Sequence, residues 1–149
     1  MIHIVEPITK KSYDLIQMEN TAPVIEGVNT EEGLLTCCGS VDAYREVLGS
    51  FLEDSTAKIC DFEVFEKKTI QNLDDSELHK FNRAAHAIKG ISAIIGAQDL
   101  SKKAAGLEIA SEAADRKIMQ DDFLGFFEDL KIITERVQSF LHIISMSEG

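Results

Sequence analysis

The pattern of apolar and polar positions predicts helices through most of the chain. From residue 30 onward, apolar residues recur at intervals of three and four, which is the period of an amphipathic helix. The spacing predicts helices over residues 30–37 and 41–62, from residue 74 or 76 to 95, and over 99–114, with a last one from residue 121 or 122. Long amphipathic helices with short connections pack well as a bundle. The predicted fold is therefore all-α, an antiparallel four-helix bundle with a short additional N-terminal helix.

Polar residues and glycines predict where these helices begin and end. Asp74 has the spacing of a capping box at the start of the third helix, and Gly96 is placed to end that helix. Asp99 is expected to cap the fourth helix, and Asp121 or Asp122 the last. The last helix has the longest apolar stripe, which consists of Phe123, Phe127, Leu130, Ile133, Val137, Phe140 and Ile144.

Both prolines of the chain, Pro7 and Pro23, lie within its first 25 residues. We therefore predict a tail or linker over residues 1–24, with a helical turn around Ser12–Met18, and one bundle domain over residues 25–146. The 149 residues are enough to bury a core without disulfides or a structural metal.

The net charge of −11 argues against nucleic acid and anionic membrane surfaces as ligands. It suits a protein partner with a basic or metal-bearing docking face. No apolar run is long enough to span a membrane, and the N-terminus does not resemble a signal peptide. The three cysteines show no zinc-ligand spacing and fit a reducing cytoplasm. We expect a cytoplasmic protein, and nothing in the sequence requires more than a monomer.

One face of the third helix combines a histidine, a lysine and a glycine. On a helical wheel, the outward stripe around His86 holds His79, Asn82, Arg83, Lys89, Gly90 and Ala93. The opposite side is apolar, which argues against a buried His86. A glycine inside a helix costs about 1 kcal/mol relative to alanine. Gly90 therefore suggests a surface where a partner approaches the imidazole, whereas His79 lacks these neighbours and is taken as a surface residue.

The same residues suggest phosphoryl chemistry. A neutral imidazole offers one nitrogen lone pair as a nucleophile. Lys89 can offset phosphoryl charge, although an exposed lysine is also an ordinary solubilising residue. The sequence contains no P-loop, no glycine-rich nucleotide loop and no evident Mg²⁺ carboxylate cluster. We therefore expect no ATP-dependent kinase activity from this chain and no cofactor of its own.

Over residues 25–145 the sequence resembles the histidine-containing phosphotransfer (HPt) domains of two-component signalling. The resemblance rests on an ordered set of segments. The set comprises Gly33-Leu34-Leu35, the run from Tyr44 to Phe51, His86-x-x-Lys89-Gly90, Gly96-Ala97, Leu100 and Leu107-Glu108. Where many relatives have Gly-Gly-Asp before the second helix, this chain has Cys38-Gly39-Ser40.

The resemblance implies a role for each matching residue. His86 would be phosphorylated on Nε2, Lys89 would lie beside the phosphoryl group, and Glu108 would accept a hydrogen bond from Nδ1. Gly90 would leave room for a response-regulator receiver domain, with a docking rim formed by Asn82, Arg83 and Ala93. A sensor or hybrid histidine kinase would be a further partner, and Mg²⁺ would come from the receiver.

Three functions remain open from the sequence. The first is a phosphorelay carrier that moves a phosphoryl group between receiver aspartates on His86. The second is the histidine-bearing domain of a chemotaxis-type kinase, which a separate ATP-binding domain phosphorylates. The third is an adaptor that docks a receiver without phosphotransfer.

Overall fold

The computed structural model describes residues 24–148 of the 149-residue chain. Within that range the chain forms five α-helices and one short 3₁₀ helix, and the all-α prediction is confirmed. The helices are α1 (Thr30–Thr36), α2 (Val41–Lys68), α3 (Asp75–Ile95), α4 (Gln98–Glu112) and α5 (Arg116–Glu148), with the 3₁₀ helix at Ile70–Asn72. None of the described helices is long and apolar enough to cross a membrane. The tail predicted over residues 1–24 and its turn around Ser12–Met18 lie outside the described residues, apart from Val24.

Helices α2 to α5 form a four-helix bundle with antiparallel neighbours. Near the middle of the bundle, Thr134 Oγ1 of α5 donates to Ser55 Oγ of α2 at 3.1 Å. At one end, Lys68 of α2 pairs with Glu77 of α3. Short connections hold α3 against α4 and α4 against α5, as expected for consecutive antiparallel helices.

Aromatic side chains fill one half of the core. Phe62 of α2 is fully buried at their centre, with ring centroids 5.2–6.1 Å from five other phenylalanines. Those partners are Phe65, Phe81, Phe123, Phe126 and Phe127. All seven positions of the predicted α5 stripe are buried, because their spacing keeps one side of the helix against the core.

The boundaries of α2, α4 and α5 differ from the sequence-based expectation, and α4 ends at Glu112, two residues before the predicted end. Helix α2 continues past residue 62 to Lys68, because Phe65 extends the apolar spacing and is buried. Helix α4 starts at Gln98 with no side-chain cap, so Asp99 lies in its first turn and the predicted cap is wrong. Helix α5 starts at Arg116, where Asp115 Oδ1 accepts from Ile118 N at 3.2 Å. The predicted caps at residues 121 and 122 are also wrong, because the earlier turn buries Met119.

The ends of α3 follow the prediction. Asp74 and Glu77 form both bonds of the capping box. Gly96 ends the helix with φ of 94°, in the left-handed region that favours glycine. Tyr44 of α2 donates its hydroxyl to Ile95 O at 2.9 Å, and Asn29 N donates to Gly96 O at 2.8 Å. These bonds fix the tight connection that sets α4 beside α3.

Candidate functional site

The outward face of α3 presents His86 to solvent. The opposite face is buried in the core, including Phe81, Ala84, Ala85, Ile88 and Ile95. Because α3 is locked by that apolar face, the position of His86 on the other side is fixed. Its side chain is 65% exposed, as the helical wheel predicted.

Glu108 of α4 holds one nitrogen of the His86 ring. Its Oε2 lies 2.5 Å from His86 Nδ1. Among residues 24–148, Nδ1 is the hydrogen-bonded ring nitrogen, and Nε2 has no protein partner. A carboxylate can only accept hydrogen bonds. When Glu108 is ionised, Nδ1 therefore carries the proton and a neutral His86 has its lone pair on Nε2.

The second oxygen of the same carboxylate binds a lysine. Lys89 Nζ lies 2.7 Å from Glu108 Oε1, and its side chain is 38% exposed. Hydrogen bonds from Lys89 and then from His86 hold the pKa of Glu108 below its ordinary value of 4.5, against the opposing effect of partial burial. Glu108 is therefore a carboxylate at neutral pH, which is the state that orients His86.

Hydrogen bonds between α3 and α4 flank this contact on both sides. One turn before His86, Asn82 Nδ2 donates to Glu108 O at 2.9 Å and to Ser111 Oγ at 3.1 Å. Three residues after His86, the Lys89 carbonyl accepts from Ser101 Oγ at 2.8 Å. The register between the two helices is thus fixed at the point where Glu108 meets His86.

The residues expected around a docking partner lie on this side of α3. Gly90 is exposed, and a Cβ added there would meet no atom within 4 Å. The glycine is therefore not required by packing within the described chain. Arg83 is exposed and Ala93 is half-buried, whereas Asn82 is half-buried with its amide on α4.

Neither Ser101 nor Ser111 was predicted from the sequence as a site residue. A signal was present, because Ser101, Glu108 and Ser111 are spaced seven and three residues apart and so share one face of α4. Ile109, which follows Glu108 in the chain and is 69% exposed, was also given no role from the sequence. No group of three or more histidine, cysteine, aspartate or glutamate side chains suited to a metal ion occurs within residues 24–148.

One comparison with known proteins identifies a family for this chain. The family model described as "Hpt domain" matches residues 46–140, which is more than half of the chain. The matched range contains His86, Lys89 and Glu108. A search of curated proteins found no significant match, and neither did a search of solved structures. On the family match, the chain belongs to the Hpt domain family, the histidine phosphotransfer domains of two-component signalling.

Proposed function

We propose that this protein is a phosphorelay carrier that accepts a phosphoryl group on His86 Nε2 from a receiver aspartate and passes it to another. The observation that carries the proposal is the exposed His86 ring with Nδ1 held 2.5 Å from Glu108 Oε2. That arrangement leaves Nε2 as the reactive nitrogen and directs it outward.

The transfer step takes place between the His86 ring and the receiver's aspartyl phosphate, with Mg²⁺ supplied by the receiver. The Nε2 lone pair of His86 attacks the phosphorus of the receiver's aspartyl phosphate. A P–N bond forms while the P–O bond to the aspartate breaks, and the aspartate carboxylate leaves with that electron pair. The proton on Nδ1 stays in place, so the ring becomes positively charged as the bond forms. Return of the phosphoryl group to a second receiver reverses each change.

Glu108 serves this step in two ways. It keeps the proton on Nδ1 before the attack, and its negative charge offsets the charge that develops on the ring. Before the reaction, Lys89 is bound to Glu108, with Nζ 2.7 Å from Oε1. An incoming phosphoryl group competes for that ammonium, which can compensate its negative charge. Mg²⁺ belongs to the receiver's site in this proposal.

Gly90, Arg83 and Ala93 form the surface on which the receiver docks. Support comes from the open space at Gly90, one helical turn beyond His86. The receiver and kinase partners, the cytoplasmic location and the monomeric state are all part of the proposal.

The decisive experiment is phosphoryl transfer from a panel of phosphorylated receiver domains, with Mg²⁺ present, to the wild-type protein and to His86→Gln. We expect acid-labile labelling of the wild type and none of the variant, with equal helix content by circular dichroism. Labelling that persists in folded His86→Gln would refute the assignment of His86.

The same assay separates the two alternatives. If no receiver labels the wild type but an ATP-binding kinase domain with ATP does, the chain is a histidine-bearing kinase domain. If neither labels it, and a receiver binds wild type and His86→Ala equally, the chain is an adaptor without phosphotransfer.

A further inference from the structure

We propose that Asn82 is a positioning residue for His86, because its side-chain amide fixes the part of α4 from which Glu108 reaches the imidazole. This inference deepens the proposed function. The expected effect on the rate of phosphoryl transfer rests on that function, whereas the position of the proton on the His86 ring can be measured without any phosphoryl group.

The contacts of Asn82 point across the helix pair. The side chain is half-buried, and Nδ2 donates to Glu108 O at 2.9 Å. Nδ2 also donates to Ser111 Oγ at 3.1 Å, and that hydroxyl donates to Glu108 O at 3.0 Å. Asn82 thus binds the backbone of the residue whose carboxylate contacts His86. It does so from the same helix as His86 and one turn away.

The position of Glu108 in α4 makes such an anchor useful. Glu108 lies four residues before the helix ends at Glu112, and the carbonyls of the last turn accept from residues 113–115 of the connection that follows, not from further helix. Helix ends fray, and a shift of that turn would carry the Glu108 carboxylate away from Nδ1. The bond from Asn82 connects this turn to α3, whose apolar face is buried in the core.

The pairing of α3 and α4 does not depend on Asn82 alone. Ala85 and Ile88 of α3 and Ala104 and Leu107 of α4 are all buried, and Ser101 supplies a separate bond to Lys89 O. Asparagine is also a poor residue for a helix interior. The amide is therefore expected to matter more for the geometry at His86 than for folding.

The test compares Asn82→Ala with the wild type and with Ser55→Ala. The control also loses a hydrogen bond between two helices, the one from Thr134 to Ser55, in the α2–α5 pair, which contains neither His86 nor Glu108. The primary measurement is the position of the proton on the neutral His86 ring, from ¹H–¹⁵N spectra of the imidazole. The second measurement is the rate of labelling by a phosphorylated receiver.

In Asn82→Ala we expect the Nε2–H form of the ring to become populated, and labelling to slow by about twofold to tenfold, as for loss of one hydrogen bond. Asn82→Gln keeps an amide and should recover part of both effects, whereas Ser55→Ala should leave the ring as in the wild type. If Asn82→Ala does not fold, Asn82→Leu keeps a similarly branched side chain without the N–H donor and without a new charge beside Glu108, and should show the same change in the ring.

A ring that keeps its proton on Nδ1 in the folded Asn82 variant would overturn the inference. So would the same change in Ser55→Ala, because the effect would then follow from general loosening of the bundle. A wild-type protein that no receiver labels would refute the carrier function and leave the ring measurement to decide the role of Asn82.

Discussion

Glu108 Oε2 lies 2.5 Å from His86 Nδ1, across the interface between two antiparallel helices. The other oxygen of the same carboxylate binds Lys89 Nζ at 2.7 Å. One side chain on α4 thereby sets both the orientation of the His86 ring and the position of the Lys89 ammonium group on α3. This relationship connects the packing of the bundle with the reactivity of its surface.

Loss of the Glu108 carboxylate should slow phosphotransfer in graded steps. Glu108→Ala removes the acceptor for Nδ1–H and should reduce the labelling rate by about tenfold to a hundredfold, as for carboxylates that orient a metal-binding histidine. Glu108→Gln keeps an acceptor oxygen but loses the charge, so its labelling rate should lie between those of the wild type and Glu108→Ala. Rates from rapid mixing with a phosphorylated receiver measure this. Equal rates in all three proteins would contradict a role for Glu108.

The Glu108 contacts should also make stability depend on pH. The pKa of Glu108 is held below 4.5 in the folded protein, first by Lys89. The folded state therefore binds its proton less readily than the unfolded chain. The contribution of ionised Glu108 to the free energy of unfolding is fully present above its unfolded-state pKa, and it is lost as the pH falls through its folded-state pKa.

Urea unfolding of wild type and Glu108→Gln between pH 7 and pH 3 measures this contribution. The stability difference should be largest near neutral pH, at less than about 1 kcal/mol for a pair of this exposure, and should shrink in acid. A difference that grows in acid would contradict the lowered pKa.

Substitution of Gly90 should separate stability from function. Gly90→Ala should raise the free energy of unfolding by about 0.5–1 kcal/mol, because alanine favours the helix and the added Cβ meets no atom within 4 Å. The methyl group should nevertheless slow transfer from a receiver, because it occupies the docking surface. Gly125→Ala on α5 is the matched control, since its Cβ also has open space. It should stabilise to a similar extent without slowing transfer.

Two buried serines should respond differently to alanine. Ser92 is fully buried, and its hydroxyl has no hydrogen-bond partner among residues 24–148. Ser92→Ala should therefore be neutral or stabilise by up to about 1 kcal/mol. Ser101 donates to Lys89 O at 2.8 Å, so the free energy of unfolding of Ser101→Ala should be about 1 kcal/mol lower than that of Ser92→Ala. Chemical denaturation of the pair checks this, and equal changes would contradict it.

The connection between α4 and α5 contains a strained alanine. Ala114 has φ of 54°, in the left-handed region, where its N–H donates to Ser111 O. Ala114→Gly should relieve that conformation and stabilise the protein by roughly 0.5–1 kcal/mol. Ala113 has an ordinary helical φ of −83°, so Ala113→Gly should destabilise it. Thermal unfolding of both variants tests this, and the same sign of change in the two would contradict it.

The sequence by itself determined the helices and the outward position of His86. Apolar residues at intervals of three and four define which side of each helix is buried, and this information is local to each helix. The α5 stripe and the capping box at Asp74 were predicted for this reason. The starts of α4 and α5 were not predicted. Helix α4 begins directly after the tight turn at Gly96, and α5 begins earlier than expected because Met119 is buried.

Only the tertiary structure decided how α4 meets α3. The contact of Glu108 with His86 spans 22 residues, and the bond from Asn82 to Glu108 spans 26. In the sequence, Asn82 appeared as a rim residue and Glu108 took its role from family resemblance. The register of two packed helices depends on how their apolar faces fit together and on the turn between them, and no periodicity within a single helix encodes that fit.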